Sequence, residues 1–381
     1  MIKRLNWVKK TIFVALLVLI VTSLSAQAPP EWVLFGEHLT KVNYDKQKEY
    51  HIHVDQNGDF YPDFTILDTD LRGKGQNQLA VWAKEYPLQF QLVAKQYHLK
   101  QTNYSIQNFA TLQDSIIANI AQHINHYSKG KLQTWLIHGF RKNLYQPKTY
   151  VSRTSLTDNR SVKKRINSYI HDNTKAPTYF VEVYWDGKYI FFSKRNAIKL
   201  AKMFKKAIPN AKACGYGLRR VFNQIESDSI TVMTHSTGTY VGANLLFNVD
   251  PKFKYTNPTP HQTIKLVLVA SASPGKALFK HYYCRTTSLK FKDKDNYSVV
   301  NVFNNKDNVL RINLLYPTRA STKLGCDYRN ESGKLATYFQ KHFKNSSYSQ
   351  FSINYNSRAS HHFHSYANHS DFNAVLNSIY Y

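Results

Sequence analysis

The stretch "TVMTHSTGTYVGANLL", residues 231–246, decides the predicted fold. It begins as an apolar run, stops at the letters THSTG and resumes with apolar residues at helical spacing. When a buried parallel strand turns into a helix within two or three residues, the residue at the bend is forced into a strained conformation and its side chain projects outward. The first amides of the helix point at the same place. Ser236 at this bend is therefore predicted to be a nucleophile with an oxyanion site beside it.

The residues around Ser236 agree with this prediction in part. Small residues flank such a serine, because the strand and the helix have to approach closely. Gly238 meets this requirement two residues after Ser236, whereas Thr234, two residues before it, places a branched side chain where glycine is usual. His235 is expected to pack behind the bend. The alternative is that Ser236 is an ordinary helix N-cap, a position where serine is preferred.

A nucleophilic serine also needs a base, a group that orients the base, and amides that stabilise the oxyanion. The segment "WLIHGF" ends a predicted strand at His138 and continues through Gly139 to Phe140, well before the serine. This is where an oxyanion loop after an early strand belongs. The backbone N–H groups of Phe140 and Thr237 are therefore predicted to form the oxyanion hole.

The acid and the base are sought further along the chain. "SVVNVFNNKDNVL" predicts a strand that places Asp307 just past its carboxyl end. Four histidines lie near the C-terminus, namely His361, His362, His364 and His369. The resulting order Ser, Asp, His is the one used by hydrolases built on this type of sheet. Asp307 could instead cap a turn, and the histidines could bind a metal, although no carboxylate or cysteine pattern accompanies them.

Short apolar strands alternate with helical patterns over most of the chain. This alternation predicts an α/β fold with a mostly parallel sheet and helices on both faces. The predicted strands cover residues 133–137, 179–184, 229–233, 264–270 and 298–303. The predicted helices cover 197–207 and 239–247, and an earlier helix has one apolar face made of Leu112, Ile116, Ile117, Ile120 and Ile124.

The chain from about Lys131 to its end, residues 131–381, resembles the α/β-hydrolase superfamily, most closely its bacterial branch of predicted serine hydrolases of unassigned substrate. The segments that carry the resemblance are "LIHGF", "VEVYWDG", "ITVMTHSTGTYV", "NVFNNKDNVL" and "HHFHSY". In that family the catalytic histidine stands in a short His-small-Tyr context. The resemblance therefore implies that His364, which is followed by Ser365 and Tyr366, is the base of a triad with Ser236 and Asp307.

The N-terminal part is expected to differ from the rest. Basic residues precede a short apolar run that ends at Ala26, so residues 1–26 are predicted to be a secretory signal; the alternative is an uncleaved membrane anchor. Residues 27–130 are predicted to form an extension with its own small β element. Within it, residues 50–54 alternate in the pattern of a strand, and the following DQNGD predicts a hairpin turn. A calcium loop is the alternative, but this segment lacks the glycine and the bidentate carboxylate that such a loop needs.

Charge and cysteines complete the sequence evidence. The formal net charge is +27, and without the four basic residues of the signal it is +23, which favours anionic membrane or polysaccharide surfaces but indicates no specific nucleic acid. Cys284 and Cys326 are the preferred disulfide pair, with Cys214 left free; the alternative is three buried thiols.

Together these features predict an exported serine hydrolase that acts on a small acyl-ester or lipid-like substrate without a cofactor or metal. An amidase or peptidase on the same scaffold is the nearest enzymatic alternative. A catalytically silent α/β-hydrolase fold that binds anionic envelope components is the alternative from another class.

Overall fold

The structure is a computed structural model, and it describes residues 45–61, 87, 91, 106–140, 155–174, 176–185, 187, 197–247, 263–273, 297–311, 324–327, 330–342, 347–353 and 361–381. The predicted signal segment 1–26 lies outside the described residues. So does Cys284, and with it the predicted disulfide. Cys214 and Cys326 are both buried.

A single sheet crosses the described part of the chain. Its strands are β1 (Glu49–Val54), β2 (Phe60–Tyr61), β3 (Leu132–Ile137), β4 (Thr178–Trp185), β5 (Ser229–His235), β6 (Thr263–Val269), β7 (Tyr297–Phe303) and β8 (Ser347–Ser352). Their spatial order is β2-β1-β4-β3-β5-β6-β7-β8. Strands β1 and β2 are antiparallel, and every other neighbouring pair is parallel. The predicted α/β class is therefore confirmed, with seven parallel strands.

Helices cover both faces of this sheet. They are α1 (Ile106–Ser128), α2 (Ser155–Asn173), α3 (Ala197–Phe222), α4 (Gly238–Leu246), α5 (Asn308–Arg311), α6 (Glu331–His342), α7 (Phe363–Ala367) and α8 (Phe372–Tyr380). Apolar residues of α1, α3 and α4 pack on one face, and those of α2, α7 and α8 pack on the other. Successive residues of the central strands alternate between the two cores; Trp135 and Ile137 of β3 face the first, and Leu136 faces the second.

The five predicted strands are all present, as is the helix that follows Ser236. Strand β8 and helices α2, α5, α6, α7 and α8 were not predicted. Strand β8, with the sequence SYSQFS, is polar and lies at the edge of the sheet, so it lacks an apolar pattern. Helix α2 carries few apolar residues; among its described side chains, Val162, Ile166 and Ile170 form a buried stripe and Tyr169 is partly buried against the same core.

The predicted hairpin forms, but its strand does not belong to a separate β element. His53 pairs with Tyr61 across the turn, and Gly58 adopts the positive φ of 86° that the turn requires. The side chain of Asp55 accepts hydrogen bonds from the amides of Asn57 and Asp59. On its other side, β1 pairs in parallel with β4 along its whole length. The boundary predicted at residue 130 therefore does not separate two sheets.

The reason is burial on both sides of β1. Ile52 and Val54 enter the first core, and helix α1 packs on the same face. His51 and His53 alternate with them and are also buried. Alternation of this kind is typical of a strand with one exposed face, whereas both faces of β1 are covered. Among the described helices, none is both long and apolar enough to cross a bilayer.

Candidate active site

Ser236 lies at a sharp bend between β5 and α4. Its φ of 52° places it in the left-handed region, which is uncommon for residues other than glycine. The amide of Ser236 donates to the carbonyl oxygen of Val269 at 2.9 Å, and its own carbonyl oxygen accepts from the amide of Ala272 at 3.1 Å. These bonds tie the bend to the carboxyl end of β6. Backbone strain held in this way is a feature of functional sites.

The hydroxyl of Ser236 contacts a histidine from the C-terminal segment. The Nε2 atom of His361 lies 2.7 Å from Ser236 Oγ, and Nδ1 of the same ring lies 2.8 Å from Oδ2 of Asp307. A carboxylate only accepts hydrogen bonds, so Nδ1 of His361 donates to Asp307. In the neutral ring the lone pair is then on Nε2, which accepts from the hydroxyl of Ser236. This is the hydrogen-bonding order of a serine-histidine-aspartate triad.

Asp307 is held by hydrogen bonds to both carboxylate oxygens. Oδ1 accepts from the amides of Val309 and Leu310 at 3.0 and 3.1 Å, and Oδ2 accepts from the hydroxyl of Tyr366 at 2.8 Å. Burial would raise the pKa of Asp307, but the charge of His361 and the hydrogen bonds from His361, Tyr366 and the Leu310 amide hold that pKa below its usual value. Asp307 therefore both caps α5, as the alternative interpretation proposed, and faces His361 as a carboxylate.

The prediction that His364 lies between Ser236 and Asp307 is wrong, because His361 occupies that position. His364 is buried in α7, where its Nδ1 lies 2.6 Å from Oδ1 of Asp158 and its Nε2 lies 3.1 Å from Oγ of Ser365. The loop residue before the helix, and not the helical one, reaches the serine. Ser365 resembles a second nucleophile in its contacts, but its amide is bonded to His362 within the helical turn and its φ is not in the left-handed region.

His235 connects the bend to the backbone of His361. Its Nε2 lies 2.8 Å from the carbonyl oxygen of His361, to which it must donate, and its ring is stacked on Phe363 at a centroid distance of 5.3 Å. His235 was expected only to pack behind the bend. It packs there and also fixes the segment that carries the candidate base. Sequence alone gave no signal for this contact.

The predicted oxyanion loop lies against the bend. A β-carbon on Gly139 would come within 2.9 Å of the Ser236 side chain, and one on Gly238 would come within 2.5 Å of the carbonyl oxygen of His138. Both positions therefore need glycine for this close approach. The indole of Trp185 donates to the carbonyl oxygen of His138 at 2.8 Å, and the two rings are stacked. The loop is thus fastened to the carboxyl end of β4.

The two amides predicted to form the oxyanion hole are those of Phe140 in the loop and Thr237 at the bend. Phe140 follows Gly139 directly, and its ring packs edge-on against Phe204. Thr237 is the N-cap of α4. The first amides of a helix have no acceptor within the helix, so they are available to an anion.

The branched side chain of Thr234 is accommodated by a glycine in the following helix. A β-carbon on Gly242 would lie 2.6 Å from Cγ2 of Thr234, and the hydroxyl of Thr234 donates to the carbonyl oxygen of Val267 at 3.0 Å. The space that a glycine before the serine would leave is therefore made by Gly242, one helical turn after the start of α4. This explains how the bend tolerates threonine at that position.

Gly242→Ala is therefore expected to destabilise the protein by about 1–3 kcal/mol through overpacking against Thr234. Thr234→Ser removes only Cγ2 and retains the hydroxyl that donates to Val267. In the double variant we expect most of the lost stability to return, which a double-mutant cycle from denaturant unfolding would measure. Additive effects of the two substitutions would contradict the proposed contact.

A second cluster of ionisable groups lies in β1, β4 and α2. Nε2 of His51 is 3.5 Å from Glu49 and 3.6 Å from Glu182, and the three ligand atoms lie within 4.8 Å of one another. The ammonium of Lys163 contacts both carboxylates. Burial would lower the pKa of His51, but the charge of Glu182 raises it, as does hydrogen bonding to both glutamates. Because an ammonium bridges the carboxylates, the cluster fits a buried ion pair better than a metal.

Comparisons with known proteins do not identify this chain. No protein-family model matches it, and no curated protein matches it. The functional interpretation therefore depends on the geometry of the site.

Proposed function

We propose that the protein is an exported serine hydrolase of the α/β-hydrolase type, with Ser236 as nucleophile, His361 as general base and Asp307 as the acid that orients it. The observation that carries this proposal is the hydrogen-bonded series Ser236–His361–Asp307, which starts from a serine in the left-handed conformation at a strand-to-helix bend. Ser236 and Asp307 follow the carboxyl ends of parallel strands, and His361 precedes α7. Their chain order is Ser, Asp, His, as in that fold.

The geometry supports acyl transfer. Nε2 of His361 takes the hydroxyl proton as Oγ of Ser236 attacks the carbonyl carbon, and the carbonyl oxygen becomes an oxyanion. The backbone N–H groups of Phe140 and Thr237 are proposed to donate to this oxyanion. The imidazolium, stabilised by Asp307, returns the proton to the leaving group, which departs and leaves an acyl-enzyme. Water then attacks the acyl-enzyme in the same way while His361 takes its proton, which releases the acid and restores the serine.

A small acyl ester or lipid-like ester is the proposed substrate, and an amide is the alternative on the same triad. The test is covalent labelling by a fluorophosphonate, which reacts with activated serine hydroxyls. We expect one label per molecule, located by peptide mass on the segment that contains Ser236. A wild-type protein that does not react with the probe would contradict the proposal.

Binding to anionic surfaces is a second candidate function, and one surface feature favours it. A groove of about 930 Å³ is lined by the basic residues Lys48, Lys131, Arg160, Lys163, Lys164 and His171, together with three acidic residues. It lies at the amino ends of β1 and β4, whereas Ser236 and Asp307 follow carboxyl ends of the same sheet. The groove therefore lies at the amino ends of the strands, and the candidate active site lies at their carboxyl ends.

We expect the protein to bind phosphatidylserine vesicles more tightly than phosphatidylcholine vesicles, and to release them as salt rises. Exposed charges are screened beyond about 8 Å at physiological salt. Lys164→Glu in the groove should weaken binding in a vesicle sedimentation assay. Lys341→Glu, an exposed lysine on α6 near the opposite end of the strand order, serves as the control. Equal loss in both variants would show that overall charge, and not the groove, is responsible.

A further inference from the structure

The buried pair of Asp158 and His364 has no part in the mechanism above. The two side chains are 2 % and 10 % exposed, and Nδ1 of His364 lies 2.6 Å from Oδ1 of Asp158. Burying a carboxylate and an imidazole away from water is costly unless they are paired, and the pair then has a fixed geometry. What this geometry fixes is the position of α7 on α2.

The pair joins α2 to the segment that carries His361. Asp158 lies in the first turn of α2, the next described element after Phe140 along the chain. His364 lies in α7, three residues after His361. Further bonds along the same seam run from Arg165 to the carbonyl oxygen of Ala367 at 3.3 Å and from Asn368 to Ser161 at 3.4 Å. Of these three hydrogen bonds, Asp158–His364 is the one in which both side chains are buried.

Helix α7 depends on such contacts for its orientation. It has five residues, which is too short for a helix to be stable by itself. Two of its side chains form buried hydrogen bonds on different partners: Tyr366 donates to Asp307, and His364 is bonded to Asp158. The loop that begins α7 carries His361. Fixing α7 at two points therefore determines where the imidazole of His361 is placed.

We propose that Asp158 and His364 are positioning residues, which hold α7 against α2 so that Nε2 of His361 stays aimed at Ser236 Oγ. This inference rests on the proposed function, because it assigns the pair a role in the same reaction. A displacement of about 1 Å at a reacting group can reduce the rate about 100-fold. A role in stability alone would lower the folded fraction and leave the reactivity of each folded molecule unchanged.

The experiment measures fluorophosphonate labelling in two ways. The end-point stoichiometry counts the molecules with a folded site, and the second-order rate constant reports how well the site is arranged. His364→Phe keeps an aromatic ring but removes the donor to Asp158. We expect its rate constant per folded site to fall by about 10- to 100-fold, with kcat for an aryl ester reduced similarly and KM little changed.

Two further variants separate positioning from stability. His364→Asn retains an amide N–H near the position of Nδ1, so it should recover a rate within a few-fold of wild type. Asp158→Leu/His364→Phe replaces both polar partners by apolar groups of similar shape, a change that can be nearly neutral for stability. It should restore the melting temperature relative to His364→Phe, while the rate constant stays low because the directional bond between Asp158 and the residue three positions after His361 is lost.

A matched control is available on the same segment. His369 also pairs with an aspartate, Asp371, at 3.4 Å, but the two side chains are 21 % and 49 % exposed. His369→Phe should label at the wild-type rate. A wild-type rate per folded site in His364→Phe or in the double variant would overturn the positioning role. If the wild-type protein itself does not react, the proposed function fails first, and the two failures are thereby distinguished.

Discussion

Ser236→Ala is expected to abolish both fluorophosphonate labelling and hydrolysis of a short-chain aryl ester. The substitution removes Oγ, the atom 2.7 Å from Nε2 of His361, so no nucleophile remains to form the acyl-enzyme. We expect kcat to fall by about 10⁴-fold or more. Alanine retains the β-carbon at the same left-handed φ, so the backbone strain and the fold should be unchanged. Circular dichroism and thermal unfolding would check the fold.

Ser365→Ala is the matched control for this variant. Ser365 also lies close to Nε2 of a histidine that is paired with an aspartate, at 3.1 Å, but it is in α7 and not at a strand-to-helix bend. It should retain most of the activity. Activity that survives in Ser236→Ala and disappears in Ser365→Ala would transfer the nucleophile to α7 and contradict the proposed triad.

His361→Ala is expected to reduce activity nearly as far as Ser236→Ala. Without this imidazole, nothing in the described contacts of Ser236 Oγ accepts its proton. Members of a triad act as a unit, so their losses do not add. The double variant Ser236→Ala/His361→Ala should therefore be no less active than either single variant, as measured by kcat for the aryl ester.

His362→Ala provides the adjacent control. His362 is exposed, and its ring stacks on His364. It should retain most of the activity and the full labelling stoichiometry. Loss of activity in His362→Ala with wild-type activity in His361→Ala would show that the base is assigned to the wrong residue.

Local patterns were sufficient to predict the parts of the site that lie next to strands. An apolar strand that ends in a polar residue before a helical pattern predicts a bend, and Ser236 lies at one with φ of 52°. The ends of β3 and β7 were located in the same way, which placed Phe140 and Asp307 at the same edge of the sheet. In a parallel sheet the carboxyl ends of strands meet at one edge, so strand identification alone is enough to bring these segments together.

The choice among the C-terminal histidines could not be made from the sequence. His361 and His364 are three residues apart, and each lies beside an aspartate in the structure. The family context of a histidine followed by a small residue and tyrosine indicated His364. What places His361 against Ser236 is the start of α7 at Phe363 and the contacts of that helix with Asp158 and Asp307.

The sequence by itself determined the α/β class, the central strands and the bend at Ser236, because these depend on hydrophobic periodicity and on residues adjacent in the chain. Only the tertiary structure decided which histidine reaches the serine, that β1 joins the main sheet, and that Gly242 makes room for Thr234. Each of these depends on contacts between residues far apart in the chain or on different elements. Such contacts have no local pattern, since they are selected by packing and by the need to pair buried polar groups.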